Sequence, residues 1–205
     1  MKQNLEEISK NYRSDKGNVY HNYLQIYEKY FSKYRNSLKT FLEIGLWEGE
    51  SIRMWRDYFE TGCLVGVDIL DLSHIQLPNT QIHICDQSDR KQLEFLVSKT
   101  FNEYDIIIDD GGHWMHQQQI TLATMFKYLK PGGIFVIEDL HTSGNPNYTR
   151  TGDTDTLAML YDFNKTKQIQ SNCMTDYEMQ YLNDNIAQLN IEMGNVSPIA
   201  FIIKK

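Results

Sequence analysis

The chain has 205 residues, of which 41% are apolar, and a formal net charge of −7. That length fits a single domain, residues 1–205, with a substantial buried core. The acidic balance disfavours a nucleic-acid substrate, because proteins that bind phosphates usually carry excess basic charge. No apolar run is long enough for a signal peptide or membrane span, and three scattered cysteines fit a reducing compartment. We therefore expect a cytoplasmic protein with no membrane or nucleic-acid partner.

Residues 1–36 are predicted to form a helical cap, which leaves residues 37–205 as the core. A turn at residues 12–18 places Ser14 and Lys16 among polar neighbours, and its spacing favours a helix N-cap by Ser14, Asp15 or Asn18. The basic residues at 29–39 have the spacing of a solvated helix face. An apolar and aromatic stripe marks the second helix of the cap: Tyr20, Tyr23, Leu24, Tyr27 and Phe31.

Strands and helices then alternate along the chain. Residues 40–45 form the first predicted strand, and glycines at its turn into a helix at 51–59 allow close approach of a ligand. A second strand at 63–68 ends in Asp68, where an acid can accept both ribose hydroxyls of a nucleotide. A third strand, at 81–85, ends in Asp86-Gln87-Ser88 and precedes a helix at 90–100.

Two further strands end in pairs of acids. Residues 104–109 lead to Asp109 and Asp110, residues 133–138 lead to Glu138 and Asp139, and a helix at 117–128 connects them. In a right-handed βαβ unit both acid pairs reach the same carboxyl edge of the sheet. Carboxylates that close repel one another unless a cation or protons neutralise them, so the pattern favours a hard cation such as Mg²⁺. The alternative is that one acid of each pair caps a helix or holds a loop.

The C-terminal third departs from this alternation. Residues 141–152 form a long loop, either a substrate lid or surface without a role, and a helix follows at 156–161. Strands at 185–191 and 199–203 are separated by turn residues typical of a hairpin. The fold class is therefore α/β: a doubly wound, mostly parallel seven-stranded sheet that finishes in an antiparallel hairpin.

These motifs together resemble the class I S-adenosylmethionine-dependent methyltransferases. More narrowly, the chain is similar to the magnesium-dependent sugar O-methyltransferases, such as the mycinamicin and macrocin enzymes and cephalosporin-pathway relatives. One departure is Trp47, which stands where the family usually has the middle glycine of the first turn. The matching segments are Ser14-Asp-Lys-Gly17, His21-x-Tyr23, Leu42-Glu-Ile-Gly45, Gly66-Val-Asp68, Asp86-Gln-Ser88, Ile108-Asp-Asp-Gly-Gly-His113, Leu129-Lys-Pro-Gly-Gly133 and Ile137-Glu-Asp-Leu140.

The resemblance implies a Rossmann-like fold and methyl transfer from S-adenosylmethionine to a hydroxyl of a sugar, nucleotide sugar or glycosylated small molecule. It implies Mg²⁺ held by Asp110, Glu138 and Asp139, with His113 as the general base. A homo-oligomer remains possible. The implied cofactor pocket comprises Ser14, Lys16, Tyr23, Glu43, Gly45, Gly49, Ser51, Asp68, Ile69, Asp86, Gln87, Ser88 and Asp109.

Other functions remain open at this stage. A nicotinamide-dependent oxidoreductase would use the same sheet and Asp68, although the chain lacks the Gly-x-Gly-x-x-Gly turn. A non-catalytic nucleotide-binding module and a zinc site through His113, His116 and Asp110 are further alternatives. His113 could also orient Asp110 while water or Asp109 removes the proton, and His116 and His141 are weaker candidates for the base.

Overall fold

A single mixed β-sheet organises the fold. The computed structural model describes residues 3–205, and the part of the N-terminal prediction that covers Met1 and Lys2 lies outside them. Within the described residues, seven strands follow the order β3-β2-β1-β4-β5-β7-β6. The first five strands run parallel, whereas β7 is antiparallel to β5 and β6 is antiparallel to β7. The predicted fold class, including the C-terminal hairpin, is confirmed.

The strands and α-helices alternate through most of the chain, with short 3₁₀ turns between some of them. In chain order the elements are α1 Leu5–Ser9, α2 Leu24–Phe31, β1 Thr40–Ile44, α3 Glu50–Tyr58, β2 Cys63–Asp68, β3 Thr80–Ile84, α4 Arg90–Lys99, β4 Tyr104–Asp109, α5 Met115–Met125, β5 Leu129–Ile137, α6 Thr156–Thr166, α7 Asp176–Asn185, β6 Ile186–Met193 and β7 Pro198–Lys204.

Apolar cores lie on both faces of the sheet, which is why the central strands read as continuous apolar runs. One face is covered by α4 to α7. The other is covered by α1 to α3 and is rich in aromatic rings, with Trp55 packed edge-on against Tyr27 at 5.0 Å between ring centroids. Most of the predicted N-terminal stripe belongs to this core. Tyr20 does not: it lies in the turn before α2 and is 63% exposed.

Three predictions about single elements were wrong. Residues 69–79, all of which are described, contain no helix, so strand and helix do not alternate between β2 and β3. The strand predicted to begin at residue 133 begins at Leu129, which pairs with Tyr104, and Lys130 bonds Asp105 at 2.9 Å. Helix α6 extends five residues beyond the predicted end at Tyr161.

Helix α7 was missed altogether. Leu182 is its one buried residue, so α7 has no apolar stripe that could predict a helix. A capping box at its N-terminus was the available signal, because Thr175 and Glu178 bond each other's backbone amides. Glu178 also accepts hydrogen bonds from Arg90 at 2.7 and 3.0 Å, which ties α7 to α4.

The strand order determines which part of the sheet edge can bind a ligand. From β1, the strands β2 and β3 extend the sheet to one side, whereas β4 and β5 extend it to the other. Ligands of open α/β sheets bind in the crevice at such a switch point, beyond the carboxyl ends of the strands. Asp109 pairs with Ile137, so Asp110 and Glu138 leave the sheet side by side. Across residues 3–205 we find no helix whose length and apolar character would let it cross a bilayer.

Candidate active site

A cavity of about 510 Å³ opens at the carboxyl edge of the parallel strands. The turns after β1, β2, β3 and β4 contribute to its wall, together with the segment between α1 and α2. His113, Asp110 and Asp139 lie along the same cavity. Eight of the residues predicted for the cofactor pocket line it: Ser14, Lys16, Gly45, Ser51, Asp68, Ile69, Asp86 and Gln87.

The other five predicted pocket residues do not line the cavity, and three of them, Tyr23, Ser88 and Asp109, bond residues that do. Glu43 is fully buried and accepts a hydrogen bond from Trp55 Nε1 at 3.1 Å. Asp109 accepts one from Gln87 Nε2 at 2.9 Å. The remaining three are Tyr23, whose hydroxyl donates to Asp139, Ser88, which donates to Asp86, and Gly49, which packs against Ile75.

The turn after β1 is held by Asp68. Oδ2 of Asp68 accepts hydrogen bonds from the backbone amides of Leu46 at 2.9 Å and Trp47 at 3.2 Å, and Oδ1 accepts one from Leu70. A carboxylate has about four lone-pair sites, so acceptor capacity remains for a ligand hydroxyl. The turn therefore fixes the Asp68 carboxylate at the cavity wall.

Gly45 and Trp47 both have positive φ in this turn. Gly45 has a φ of 87°, and a Cβ there would lie 1.9 Å from the Asp110 carbonyl oxygen, so only glycine fits. Trp47 has a φ of 52° and is 82% exposed at the cavity rim. Trp47 thus has a backbone conformation that glycine adopts more readily, at a cost in strain.

A buried lysine joins the two acid pairs, which the sequence did not predict. Lys16 has no exposed surface, and its ammonium donates hydrogen bonds to Asp110 and to Glu138, with Glu138 Oε1 at 2.9 Å and Oε2 at 3.0 Å. The hydroxyl of Tyr27 also donates to Glu138. None of the three predicted N-cap residues, Ser14, Asp15 and Asn18, caps α2. Its N-cap residue is Tyr23, which makes no side-chain bond there.

Three histidines surround Asp139. The distances to its carboxylate are 3.6 Å from His113 Nε2, 3.5 Å from His21 Nδ1 and 3.9 Å from His141 Nδ1. Among the described residues, one group of acids and histidines could hold a metal ion: Asp110, His113 and Asp139, whose ligand atoms all lie within 4.8 Å of one another. His116 does not join it and instead lies 3.5 Å from Asp153, so the zinc arrangement is not assembled.

Gly111 and Gly112 directly precede His113 in the segment after β4. Neither has a positive φ; His113 itself has a φ of 59°. Both glycines pack closely against side-chain amides, because a Cβ at Gly111 would lie 1.9 Å from Gln87 Oε1 and a Cβ at Gly112 would lie 2.2 Å from Gln117 Oε1. Two side chains, Gln87 after β3 and Gln117 in α5, therefore pack against the segment that carries His113.

Burial makes the acid cluster electrostatically costly. Burial raises the pKa of Asp109 to about 6 and holds the pKa of Asp110 above the usual carboxyl value. Burial also raises the pKa of Glu138, and the nearby Asp110 carboxylate raises it further. Burial lowers the pKa of Lys16, but the carboxylates of Asp110 and Glu138 outweigh it and hold that pKa well above its usual value. One ammonium therefore leaves several carboxylates uncompensated, an environment that favours a further cation.

Glu43 provides a test of this electrostatic description. Burial raises its pKa from 4.5 to about 7, with Lys16 opposing. Between these two pH values the folded chain keeps the Glu43 proton that the unfolded chain releases. The free energy of unfolding therefore falls as pH rises from about 4.5 through about 7, and this contribution of Glu43 to stability is fully lost above that. Glu43→Gln should raise the free energy of unfolding at pH 8 by as much as about 3 kcal/mol, and by little at pH 4.

Denaturant titrations at the two pH values measure this difference. Glu103→Gln, which removes an exposed carboxylate, is the matched control and should change neither value by more than about 0.5 kcal/mol. If Glu43→Gln were no more stable than wild type at pH 8, the assignment of a raised pKa to Glu43 would be wrong.

The loop at 141–152 does not line the cavity. It contains two 3₁₀ turns, Leu140–Thr142 and Pro146–Tyr148, and Arg150 at its end bonds Asp153. A role as a substrate lid stays a prediction. In the predicted basic face, Lys29 pairs with Glu192 at 2.6 Å and remains mostly exposed, as a solvated helix face would.

Comparisons with known proteins identify the family. The chain is 33% identical over 159 residues to mycinamicin VI 2''-O-methyltransferase of Micromonospora griseorubida. The matched region covers 74% of this chain and 40% of that protein. It is 36% identical over 159 residues to 8-demethyl-8-alpha-L-rhamnosyl tetracenomycin-C 2'-O-methyltransferase of Streptomyces olivaceus, over 74% of this chain and 42% of that protein.

Solved structures agree with the sequence relatives. The MycE methyltransferase of the mycinamycin biosynthetic pathway, solved in complex with Mg and SAH, superposes with a TM-score of 0.84 and 29% identity over 100% of this chain and 55% of that one. The chain belongs to the class I S-adenosylmethionine-dependent methyltransferases. No family model matches the sequence. The chain spans about 40% of the length of the curated relatives it matches.

Two features of this site could have been predicted from the sequence but were missed. Lys16 lies in the Ser-Asp-Lys segment, and a lysine in a predicted polar turn facing several acids was a candidate partner for them. Tyr27 belongs to the predicted aromatic stripe, yet its hydroxyl bonds Glu138 in the core. A buried tyrosine usually requires a hydrogen-bond partner, and that requirement was the available signal.

Proposed function

We propose that the protein is an S-adenosylmethionine- and divalent-metal-dependent O-methyltransferase that acts on a hydroxyl of a sugar, nucleotide sugar or glycosylated small molecule. The main support is that one cavity is lined both by the Gly45 turn with Asp68 and by Asp110, His113 and Asp139. A donor held by the first set would place its reactive end toward the second. We also propose that residues 37–205 form the catalytic core and that the segment before them caps it.

The donor would lie across the carboxyl ends of β1, β2 and β3. Asp68 is positioned to accept the ribose hydroxyls, and Asp86 and Gln87 line the wall where the adenine would lie. Gly45 lines the cavity at the first turn, and its backbone lies where the amino-acid end of the donor would approach. When bound, S-adenosylmethionine supplies a methyl group on a positively charged sulfur, and the rim of this cavity is rich in the carboxylates that attract it: Glu48, Glu50, Asp68 and Asp86.

The acid group at the far end of the cavity fits a hard cation. Burial disfavours the charged forms of Asp110 and Glu138 and raises the pKa of both carboxyl groups. Oxygen donors predominate in the group, as Mg²⁺ prefers. We propose Asp110 and Asp139 as ligands. Glu138, the third ligand that the family resemblance implied, does not belong to the group of atoms that converges here, and both of its oxygens contact Lys16. When bound, the cation would orient an acceptor's oxygens and make a hydroxyl easier to deprotonate.

The acceptor would enter where Asp139 and His113 line the cavity. His113 Nε2 lies 3.6 Å from Asp139 Oδ2, which places the ring beside any hydroxyl that binds there. We propose that His113 takes the proton of that hydroxyl, and that a sugar with adjacent hydroxyls suits the site. The names of the relatives support this substrate class, because they describe methylation of glycosylated macrolides and tetracenomycins.

Donor binding is tested by substituting Asp68. Asp68→Ala should weaken binding of S-adenosylhomocysteine by about 1.5–3 kcal/mol, the range for a hydrogen bond to a charged group. Calorimetry on the full chain measures the effect, and Asp71→Ala, an exposed acid in the same loop, should bind like wild type. Thermal unfolding of both variants shows whether loss of the backbone bonds to Asp68 has disturbed the turn.

Thermal-shift measurements with S-adenosylmethionine and NAD distinguish the methyltransferase from an oxidoreductase on the same sheet. We expect stabilisation by S-adenosylmethionine and none by NAD. If the wild-type chain bound neither S-adenosylmethionine nor S-adenosylhomocysteine, the proposed function would have to be abandoned.

A further inference from the structure

Lys16 reaches the acid cluster from outside the sheet. It belongs to the segment between α1 and α2, which a tight set of backbone bonds shapes: Tyr23 N donates to Lys16 O, and His21 N donates to Asp15 O. These bonds hold the Lys16 backbone beside the carboxyl ends of β4 and β5, and its whole side chain is buried. The ammonium is therefore a fixed part of the site.

We propose that Lys16 is a tethered counter-cation that holds the Asp110 and Glu138 carboxylates together and competes with a divalent cation for Glu138. The inference rests on the proposed function, since it concerns the same cation site. Lys16 contacts neither donor nor acceptor in this role, so it is a positioning residue.

The hydrogen bonds of Glu138 carry the proposal. Its Oε1 lies 2.9 Å from the Lys16 ammonium and also accepts the Tyr27 hydroxyl, while its Oε2 lies 3.0 Å from the same ammonium. Both oxygens are thus already engaged. By contrast, Asp110 gives only its Oδ2 to Lys16, which leaves the other oxygen available. Accordingly, the group of ligand atoms that converges within 4.8 Å includes Asp110 and Asp139 but not Glu138.

The charge balance points the same way. Five buried or half-buried acids adjoin this edge: Glu43, Asp109, Asp110, Glu138 and Asp139. Among the lysines and arginines of residues 3–205, Lys16 is the one that forms ion pairs with this cluster. Removing the ammonium would leave the Glu138 carboxylate buried without its charged partner, which strongly destabilises a folded protein. It would also remove a positive charge that repels an incoming cation, so the vacated carboxylates would bind that cation more strongly.

Metal titration of Lys16→Met tests the competition. The chelator-treated full chain is titrated with Mg²⁺ or Mn²⁺ by calorimetry, and its thermal unfolding is followed with and without the ion. In Lys16→Met we expect the affinity to rise at least about tenfold, because a repelling charge close to the ion is gone. The metal-free variant should unfold at a lower temperature than wild type, and the ion should stabilise it more. Lys91→Met, which removes an exposed ammonium from α4, is the charge-matched control and should titrate like wild type.

Glu138→Gln gives an independent measurement if Lys16→Met folds poorly. With Lys16 present, this substitution should change the Mg²⁺ affinity by less than about threefold, whereas in the Lys16→Met background it should remove most of the gain, as expected of coupled residues. The proposal is overturned if Lys16→Met binds the ion no more tightly than wild type, or if Glu138→Gln alone abolishes binding. Failure of the wild-type chain to bind any divalent ion would overturn the cation site of the proposed function as well, so the two failures are distinguishable.

Discussion

Replacing His113 with alanine is expected to lower turnover by about 10²–10⁴-fold, the usual contribution of a general base. The ring lines the cavity beside Asp110 and Asp139, and its Nδ1 has no hydrogen-bond partner among residues 3–205. No other histidine combines these features: His141 lies farther from Asp139 and bonds Ser197, and His116 contacts Asp153. Affinities for the donor and for Mg²⁺ should stay near those of wild type.

The backbone at this position calls for a second variant. His113 has a φ of 59°, a conformation that asparagine adopts more readily than alanine. His113→Asn should therefore keep the local fold while it removes the base, and its turnover should fall as far as that of His113→Ala. His116→Ala, one turn further into α5, is the matched control and should retain most of the activity.

An orienting role for His113 predicts a different result. If the ring merely positions a neighbouring carboxylate, its loss should weaken metal binding by about 10–100-fold, and excess Mg²⁺ should partly restore turnover. Titration of the variant with Mg²⁺ at saturating donor separates the two roles. Recovery to near wild-type turnover would rule out the base and would direct attention to His21, whose Nδ1 lies 3.5 Å from Asp139.

Removal of divalent cations is expected to abolish turnover altogether. Asp110 and Asp139 are proposed to hold the ion, and without it their buried carboxylates repel one another and an acceptor hydroxyl has no partner to orient it. Mg²⁺ should restore activity better than Zn²⁺, because oxygen donors dominate the site. Donor binding should survive chelation, since Asp68 and Asp86 lie at the ends of β2 and β3.

Asp139→Asn tests the same site without a chelator. Asp139 has a φ of 54°, which asparagine tolerates, so the substitution removes the charge with little backbone cost. It should eliminate turnover and Mg²⁺ binding but leave donor affinity unchanged. Asp162→Asn removes an exposed carboxylate on α6 and serves as control. Full activity of an exhaustively chelated wild-type enzyme would contradict the metal requirement.

The fold was predictable because each central strand is a short apolar run that ends in a polar or glycine-rich turn. β2 and β4 have the predicted bounds, and the C-terminal hairpin followed from two apolar runs separated by turn residues. The two acid pairs were equally predictable, because they lie at the ends of two strands that pair directly in the sheet. Helix α7 was not, because a helix with one buried residue has no apolar period.

The arrangement of side chains within the site depends on contacts between segments distant in the sequence. Lys16 and Glu138 are 122 residues apart, and Tyr27 and Glu138 are 111 apart, so no local spacing relates them. Likewise, Glu43 follows the predicted strand pattern, but the packing of α3 turned its carboxylate toward Trp55 rather than the cavity. Local periodicity shows which residues reach the carboxyl edge of the sheet, because it reflects burial along one element. Which of those residues are paired with each other follows from how the N-terminal segment packs across β4 and β5, and that packing is a property of the folded chain.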